Sequence, residues 1–374
     1  MSYIVSIDQS TQGTKAVLMD QNGFIVKRTD KKHRQIINEE GHVSHDPMEI
    51  YYNTVEVVRK LLEVSGIDAD DVAALSISNQ RETTVMWDEN GMPYTDAVVW
   101  QCNRAKAVAE EYRGYADEIY EITGLPLSPY FPACKMKWLL NHVQPKGKVF
   151  FGTIDAWLIR KMTGNYKTDY TNASRTQLFD IHTGTWSERL LDLFGIDRQS
   201  LPEVCDSNSL FGYTDLEGVF RKPVAIRAVM GDSHAALYGQ GCLHEGQVKT
   251  TLGTGSSIMM NIGEKPVFSD LGVVTSLAWS LSGKVNYVLE GNINYTGAVI
   301  SWLKDDLGLI ESAGETAALA KNANFADRTY LVPAFSGLGA PYWDSHATAS
   351  ISGMTRTTGK KEVVKAALEC IAYQ

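Results

Sequence analysis

The chain of 374 residues is longer than one ordinary hydrophobic core supports, and with 44% apolar and 21% charged residues it is expected to fold as two or three globular domains. Its formal charge of −9 argues against a general nucleic-acid binder or a protein held on an anionic membrane, so any anionic ligand has to be gripped locally. No basic stretch followed by an apolar signal segment opens the chain, and no window reaches the ~18 apolar residues of a membrane span, so a cytoplasmic location is the expectation.

In chain order, residues 3–7 read as a buried strand and residues 15–19 as its hairpin partner, with Asp20-Gln21-Asn22-Gly23 turning the chain into a third strand from Phe24. This is an antiparallel meander at the edge of a larger sheet. Asp46, Pro47 and Glu49 supply an N-cap, a first-turn proline and a capping-box carboxylate for a helix continued by Ile50, Val57, Val58, Leu61 and Leu62. A strand over 72–77 follows, then strands alternating with helices through Trp138 and Ile154. The meander pattern returns at 246–262 with a helix near 297–304, a coarse duplication that predicts two α/β lobes, residues 1–243 and 244–374, with a ligand cleft between them. Val364, Ala367, Leu368 and Ile371 mark one face of a last helix that reaches Gln374 without a glycine, asparagine or proline exit, so the second lobe reads as incomplete.

The cysteines, Cys102, Cys134, Cys205, Cys242 and Cys370, are odd in number and scattered, without the spacing of a zinc site, and read as reduced packing residues. The sequon Asn172-Ala173-Ser174 is then not a glycosylation site.

Two turns of small residues sit between strand-like runs, Asp8-Gln9-Ser10-Thr11-Gln12-Gly13-Thr14-Lys15 and Thr251-Leu252-Gly253-Thr254-Gly255-Ser256-Ser257. Strand, turn and strand make a donor-rich hairpin suited to phosphate oxygens. Phosphoryl transfer needs such cradles, a carboxylate near the metal and a base near the attacking hydroxyl. Asp8, ending a buried strand, is either a turn-capping group or the anchor for a hydrated Mg²⁺. Asp232, after the apolar run 224–229 and Gly231, is a helix N-cap or a general base. His234 reads as a packed hydrogen-bonding residue. Arg81 and Glu82 are either a surface ion pair or, facing a cleft, a donor and acceptor set for the hydroxyls of a polyol. Trp100 and Tyr130, both in loops, offer aromatic faces for a polyol carbon chain or else pack between domains.

An ordered series of motifs joins these residues: 8–15, 79–84, Val99-Trp100-Gln101-Cys102, Tyr130-Phe131, Lys135-Met136-Lys137-Trp138, Phe151-Gly152-Thr153, 169–175, Gly231-Asp232, Gly253-Thr254-Gly255 and 331–344. In this series the chain resembles the FGGY carbohydrate kinases, the glycerol kinases among them, over nearly its whole length. The resemblance implies actin-like, ribonuclease-H-type lobes and ATP-dependent phosphorylation of a terminal hydroxyl of glycerol to glycerol 3-phosphate, with Mg²⁺. It implies Asp232 as the base and Asp8 as the metal-side carboxylate. Arg81, Glu82, Trp100, Tyr130 and Asp232, with Ser233 beside them, would bind the polyol. Thr11, Gln12, Gly13 and Lys15, and later Thr254, Gly255, Gly297 and Ser301, would contact the nucleotide.

The chain departs from the family pattern in three ways. Ser233 and His234 follow the catalytic aspartate where glutamine is usual, and Ser257 stands where an aromatic ring is usual. Both changes remove bulk, which leaves a longer polyol or a ketose (erythritol, xylulose or ribulose type) as an alternative substrate. The family also continues past residue 374 into a glycine-rich adenosine site, so a catalytically silent polyol-binding fragment is a further alternative. No nucleic-acid or membrane partner is expected, and a homo-oligomer is left open.

Overall fold

The computed structural model describes residues 2–335, 337–344 and 346–374. Met1, and Ser336 within the 331–344 run, lie outside the described residues. By its internal contacts the chain divides into two compact units: residues 1–244 with 261–267 and 275–288, and residues 245–260 with 268–274 and 289–374.

The first unit is built on a six-stranded sheet in the order Gly212–Thr214, Val224–Gly231, Val72–Asn79, Tyr3–Ser10, Gly13–Met19, Ile25–Lys32. Alternation along Tyr3–Ser10 buries Val5 and Ile7, and Leu75 and Ile77 do the same on Val72–Asn79. The meander is as expected, with Ile25–Lys32 at the edge and Asp20 closing the turn before it by accepting from Asn22 N and Phe24 N. Three central strands are parallel, in a register that sets Gln9 opposite Asn79 and Asn79 opposite Gly231. Their carboxyl ends therefore finish level, the place where α/β sheets usually present ligand-binding side chains.

The helix Pro47–Ser65 starts where its cap predicts, with Asp46 accepting from Met48 N at 2.8 Å, and ends at Gly66, whose φ of 68° suits a residue without Cβ. Glu49 does not close a capping box. Its carboxylate instead accepts from Arg34 N at 3.1 Å, which ties the helix to the strand connection before it. The helix buries Ile50, Val58 and Leu61 in a core shared with Leu18, Leu75, Trp87 and Trp157, each such side chain worth ~1.5–3 kcal/mol. A five-stranded sheet of short strands lies in the same unit, ordered Ile36–Ile37, Val43–His45, Ala97–Val98, Thr84–Trp87, Phe150–Thr153. All five cysteines are free thiols, four of them buried, in keeping with a packing role. Asn172 is fully buried, so the sequon is closed to modification.

In the second unit Val248–Leu252 pairs antiparallel with Ser256–Asn261 up to Leu252 opposite Ser256, so the hairpin read at 246–262 forms. The helix Gly297–Ser301 runs on into a wider turn over Trp302–Asp306. Val299, Leu303, Ile310 and Leu331 pack with Val364, Ala367 and Cys370 of the last helix, Lys360–Tyr373. Among the described residues no helix is long and apolar enough to cross a membrane.

One buried acid makes the first unit sensitive to pH. Asp155 is fully buried and accepts from Thr153 and Thr168 hydroxyls; burial, then the neighbouring Asp169 carboxylate, pushes its pKa up to about 7. Between its ordinary value of 3.8 and about 7, the unfolded chain loses this proton while the folded chain keeps it, so stability falls as pH rises through that window. Asp155→Asn, which retains the shape of the neutral acid, is expected to gain on the wild type from pH 4 to 7 by up to about 1.4 kcal/mol per pH unit. Urea unfolding of both proteins at several pH values checks this, and parallel curves for the two would refute it.

Candidate active site

At the first sheet's carboxyl edge, Ser10 pairs with Gly13 and leaves Thr11 and Gln12 as a two-residue turn. Among the described residues the Thr11 and Gln12 N–H groups meet no acceptor within the chain, so both are available to an anion. The turn is braced from behind, because His33 N donates to Gln12 O at 3.3 Å and His33 Nε2 lies 2.8 Å from Thr11 O. Gly13 is required by close approach, since a Cβ there would sit 2.6 Å from Lys31 O. Asp8, two residues before the turn's first strand ends, accepts from Ser78 Oγ at 2.8 Å and pairs with Lys15 Nζ at 3.0 Å. The Lys15 ammonium is thus held at the strand end by the Asp8 charge.

The next strand end carries Asn79, Gln80, Arg81, Glu82, Thr83 and Thr84, all buried. Glu82 has φ of 61°, in the left-handed region that a side chain with Cβ avoids. Arg81 Nε lies 3.6 Å from Asp232 Oδ1, while Glu82 Oε1 accepts from the fully buried Arg175 Nε at 2.6 Å.

Asp232 stands at the first position of the helix Asp232–Gly239, and the N-cap is Gly231, so the capping reading of this aspartate does not hold. Its carboxylate keeps one bond, from Ser233 N at 2.6 Å, and 40% of its side-chain surface remains open. Desolvation by the surrounding protein raises its pKa; the Arg81 guanidinium opposes this, and the Glu82 and Asp8 charges add to it. An open carboxylate of raised pKa beside a buried guanidinium is suited to taking a proton. Gly231 is again a matter of space, because a Cβ would lie 2.7 Å from Arg81 Cγ. His234 is buried with Nε2 3.4 Å from Ser276 Oγ, a packed residue as expected.

Trp100 and Tyr130 come together, edge to face with ring centres 5.7 Å apart, and Trp100 Nε1 donates to Thr11 Oγ1 at 2.9 Å. The aromatic wall and the phosphate turn are therefore linked through one threonine. Lys135, fully buried in the helix Pro132–His142, donates to Tyr130 O and fixes the loop that carries this ring. Burial lowers the Lys135 pKa to about 8, against the pull of the nearby Glu82 charge.

In the second unit the expected nucleotide contacts gather around the other hairpin turn. Thr296 N and Ala298 N donate to Thr254 O at 3.0 Å, and Gly297 N donates to Gly253 O at 2.9 Å. A Cβ on Gly297 would lie 2.7 Å from Gly253 O, and one on Gly255 2.7 Å from Ile293 O, so both glycines permit close backbone packing. Ser301 follows one helical turn after Gly297 and is exposed. Ser257 is buried, and its hydroxyl donates to the buried Glu290 at 2.9 Å.

Asp8, Thr11, Gln12, Gly13, Lys15, Arg81, Glu82, Trp100, Tyr130, Asp232 and Ser233 lie in the first unit; Thr254, Gly255, Gly297 and Ser301 lie in the second. Sequence reasoning gave no role to Arg175, Lys135, Thr171 or Asn172, which hold these side chains from behind. Arg175 fell within a quoted motif, but a basic residue there carries no spacing signal for a buried partner.

Residues 3–239 match the N-terminal domain of the FGGY family of carbohydrate kinases, and residues 248–374 match its C-terminal domain. The chain is similar to glycerol kinase 1 of Thermotoga maritima, 49% identical over 383 aligned positions that cover 100% of this chain and 78% of that protein. Among solved structures it is similar to Plasmodium falciparum glycerol kinase with ADP, at a TM-score of 0.87 and 35% identity, covering 100% of this chain and 77% of that one. It is likewise similar to a ligand-bound xylulose kinase from Lactobacillus acidophilus, at a TM-score of 0.88 and 26% identity, with coverage of 100% and 76%. The architecture is accordingly the α/β, ribonuclease-H-like, actin-like two-domain kinase fold. The chain belongs to the FGGY family of carbohydrate kinases.

Proposed function

We propose that this kinase transfers the γ-phosphoryl group of ATP to a terminal hydroxyl of glycerol, giving glycerol 3-phosphate and ADP. Residues 1–243 act as the polyol- and phosphate-binding lobe, and residues 244–374 carry the nucleotide side. The observation that supports this most is the open Asp232 carboxylate held 3.6 Å from Arg81, at the strand edge that also presents Glu82. Similarity to the glycerol kinases selects the substrate within the family.

In this reading Asp232 accepts the hydroxyl proton as the oxygen attacks phosphorus in line. Arg81 donates to a polyol hydroxyl, Glu82 accepts from one, and Trp100 with Tyr130 covers the carbon chain. The Thr11 and Gln12 N–H groups and Lys15 of the first unit receive phosphate oxygens, and Thr254, Gly255, Gly297 and Ser301 of the second unit contact the nucleotide. Asp8 fits the anchoring role for a hydrated Mg²⁺, because each of its oxygens has one protein bond and a lone pair to spare. The ion, when bound, neutralises charge on the phosphate oxygens. The preference for glycerol over longer substrates rests on the similarity to the glycerol kinases.

Coupled ADP release with glycerol, erythritol, xylulose and ribulose tests the assignment: kcat/KM is expected to be highest for glycerol, and Asp232→Asn to lower kcat by ~10²–10⁴-fold. Equal rates for Asp232→Asn and wild type would end the base assignment, and a higher kcat/KM for a four- or five-carbon substrate would end the preference for glycerol.

The pH profile provides a second check. A base works only when ionised, so kcat falls as pH drops through a value above the ordinary aspartate pKa of 3.8. The Arg81 charge holds that value down. In Arg81→Gln the acid limb of kcat is therefore expected to move to higher pH, and an unmoved or lowered limb would contradict the coupling.

A further inference from the structure

One short segment, residues 169–175, bonds to the ends of two of the three parallel strands, Val72–Asn79 and Val224–Gly231. Asp169 is fully buried and accepts from Thr171 N, Thr171 Oγ1, Asn172 N, Asn172 Nδ2 and Ser207 Oγ. With the Thr171 hydroxyl hydrogen given to Asp169 Oδ1 at 2.8 Å, the hydroxyl oxygen is left as an acceptor, and Gly231 N donates to it at 2.9 Å. Gly231 is the cap immediately before Asp232, and it packs against the Arg81 stem. One residue on, Asn172 and Asn79 exchange two amide bonds, 2.9 and 3.1 Å, and Asn79 ends the strand that leads into Arg81 and Glu82. Arg175 then takes Glu82.

We propose that Thr171 is a positioning residue for phosphoryl transfer: through its hydroxyl, polarised by Asp169, it fixes Gly231 and so sets the Asp232 carboxylate against Arg81 and the attacking hydroxyl. The inference rests on the reading of Asp232 as the base. Thr171 itself is fully buried behind the strand end. It acts on the rate because the Gly231 amide is the last backbone group held before the helix begins, and its shift moves the carboxylate with it.

The hydroxyl is the tested group. Thr171→Val keeps the branched shape and removes it, and this variant is expected to lower kcat by ~10–100-fold, the scale of a displacement of about 1 Å at a reacting group, with KM for glycerol and ATP changed by less than ~3-fold. Thr171→Ser, which restores the hydroxyl, is expected to return kcat to within ~3-fold of wild type. In the double variant Thr171→Val with Asp232→Asn, the valine should slow the reaction by no more than ~2-fold beyond Asp232→Asn alone, because its effect passes through the carboxylate already removed.

Circular dichroism and thermal unfolding establish that each variant is folded, and Thr171→Ala serves as a second hydroxyl-free variant. Wild-type kcat in Thr171→Val, a serine variant as slow as the valine one, or fully multiplicative losses in the double variant would overturn the proposal. Loss of the fold in both hydroxyl-free variants would also overturn it, by assigning Thr171 to stability alone. Failure of the underlying reading looks different, since Asp232→Asn would then itself remain active.

Discussion

Glu82 holds a backbone conformation that costs about 1–3 kcal/mol for a residue with Cβ, and it persists because its carboxylate is bonded at 2.6 Å to Arg175 in a site without solvent. A buried guanidinium left without that carboxylate would cost about 3–5 kcal/mol, so the ion pair outweighs the strain. The geometry downstream follows from this. Beside Glu82, Arg81 Nε lies 3.6 Å from Asp232 Oδ1, and Thr83 donates to Gln80 Oε1 while accepting from Trp100 N at 3.2 Å. A single reversed residue thereby orders a cation, a carboxylate and the aromatic ring beside them.

The local charge pattern also answers how a chain of net charge −9 can handle a polyanion. Arg81, Arg175, Lys135 and Lys15 stand near Asp8, Glu82 and Asp232, so the edge is close to balanced before any ligand arrives. Balance of this kind suits transfer chemistry better than a strongly basic surface, which would hold the charged product. The free N–H groups of the Thr11–Gln12 turn add positive potential without adding an ion that needs a partner.

Much of the frame was legible in the sequence, because period-two alternation, turn glycines and the Asp46-Pro47 cap each act over a few residues. The meander, the helix Pro47–Ser65 and the second hairpin came from such signals. The site was legible as an inventory and not as a set of pairings. Arg81 beside Glu82 reads as a pair in one dimension, yet Glu82 bonds Arg175 from a positive φ, and no local pattern announces either that partner or a positive φ on glutamate. Glu49 was assigned to its own helix end and went instead to Arg34 N, a contact 15 residues away in sequence. Thr171 and Arg175 meet partners 60 and 93 residues distant, which only the completed sheet brings near.

The buried amides explain why these distant meetings are unique. Gln80 Nε2 donates to Gln9 Oε1 at 3.1 Å across the first two parallel strands, and the Asn79–Asn172 exchange ties the second strand to the segment that holds the third. Apolar residues at these positions would pack in several offsets at similar energy, since dispersion and area burial are non-directional. Amides would not, because a slip of one residue leaves each buried donor and acceptor unpaired at about 1–3 kcal/mol apiece. The carboxyl ends of the three parallel strands are therefore held level by hydrogen-bond direction, and level ends are what set Asp8, Arg81 and Asp232 on one edge. Side chains that touch no substrate thus fix the register on which the proposed chemistry stands.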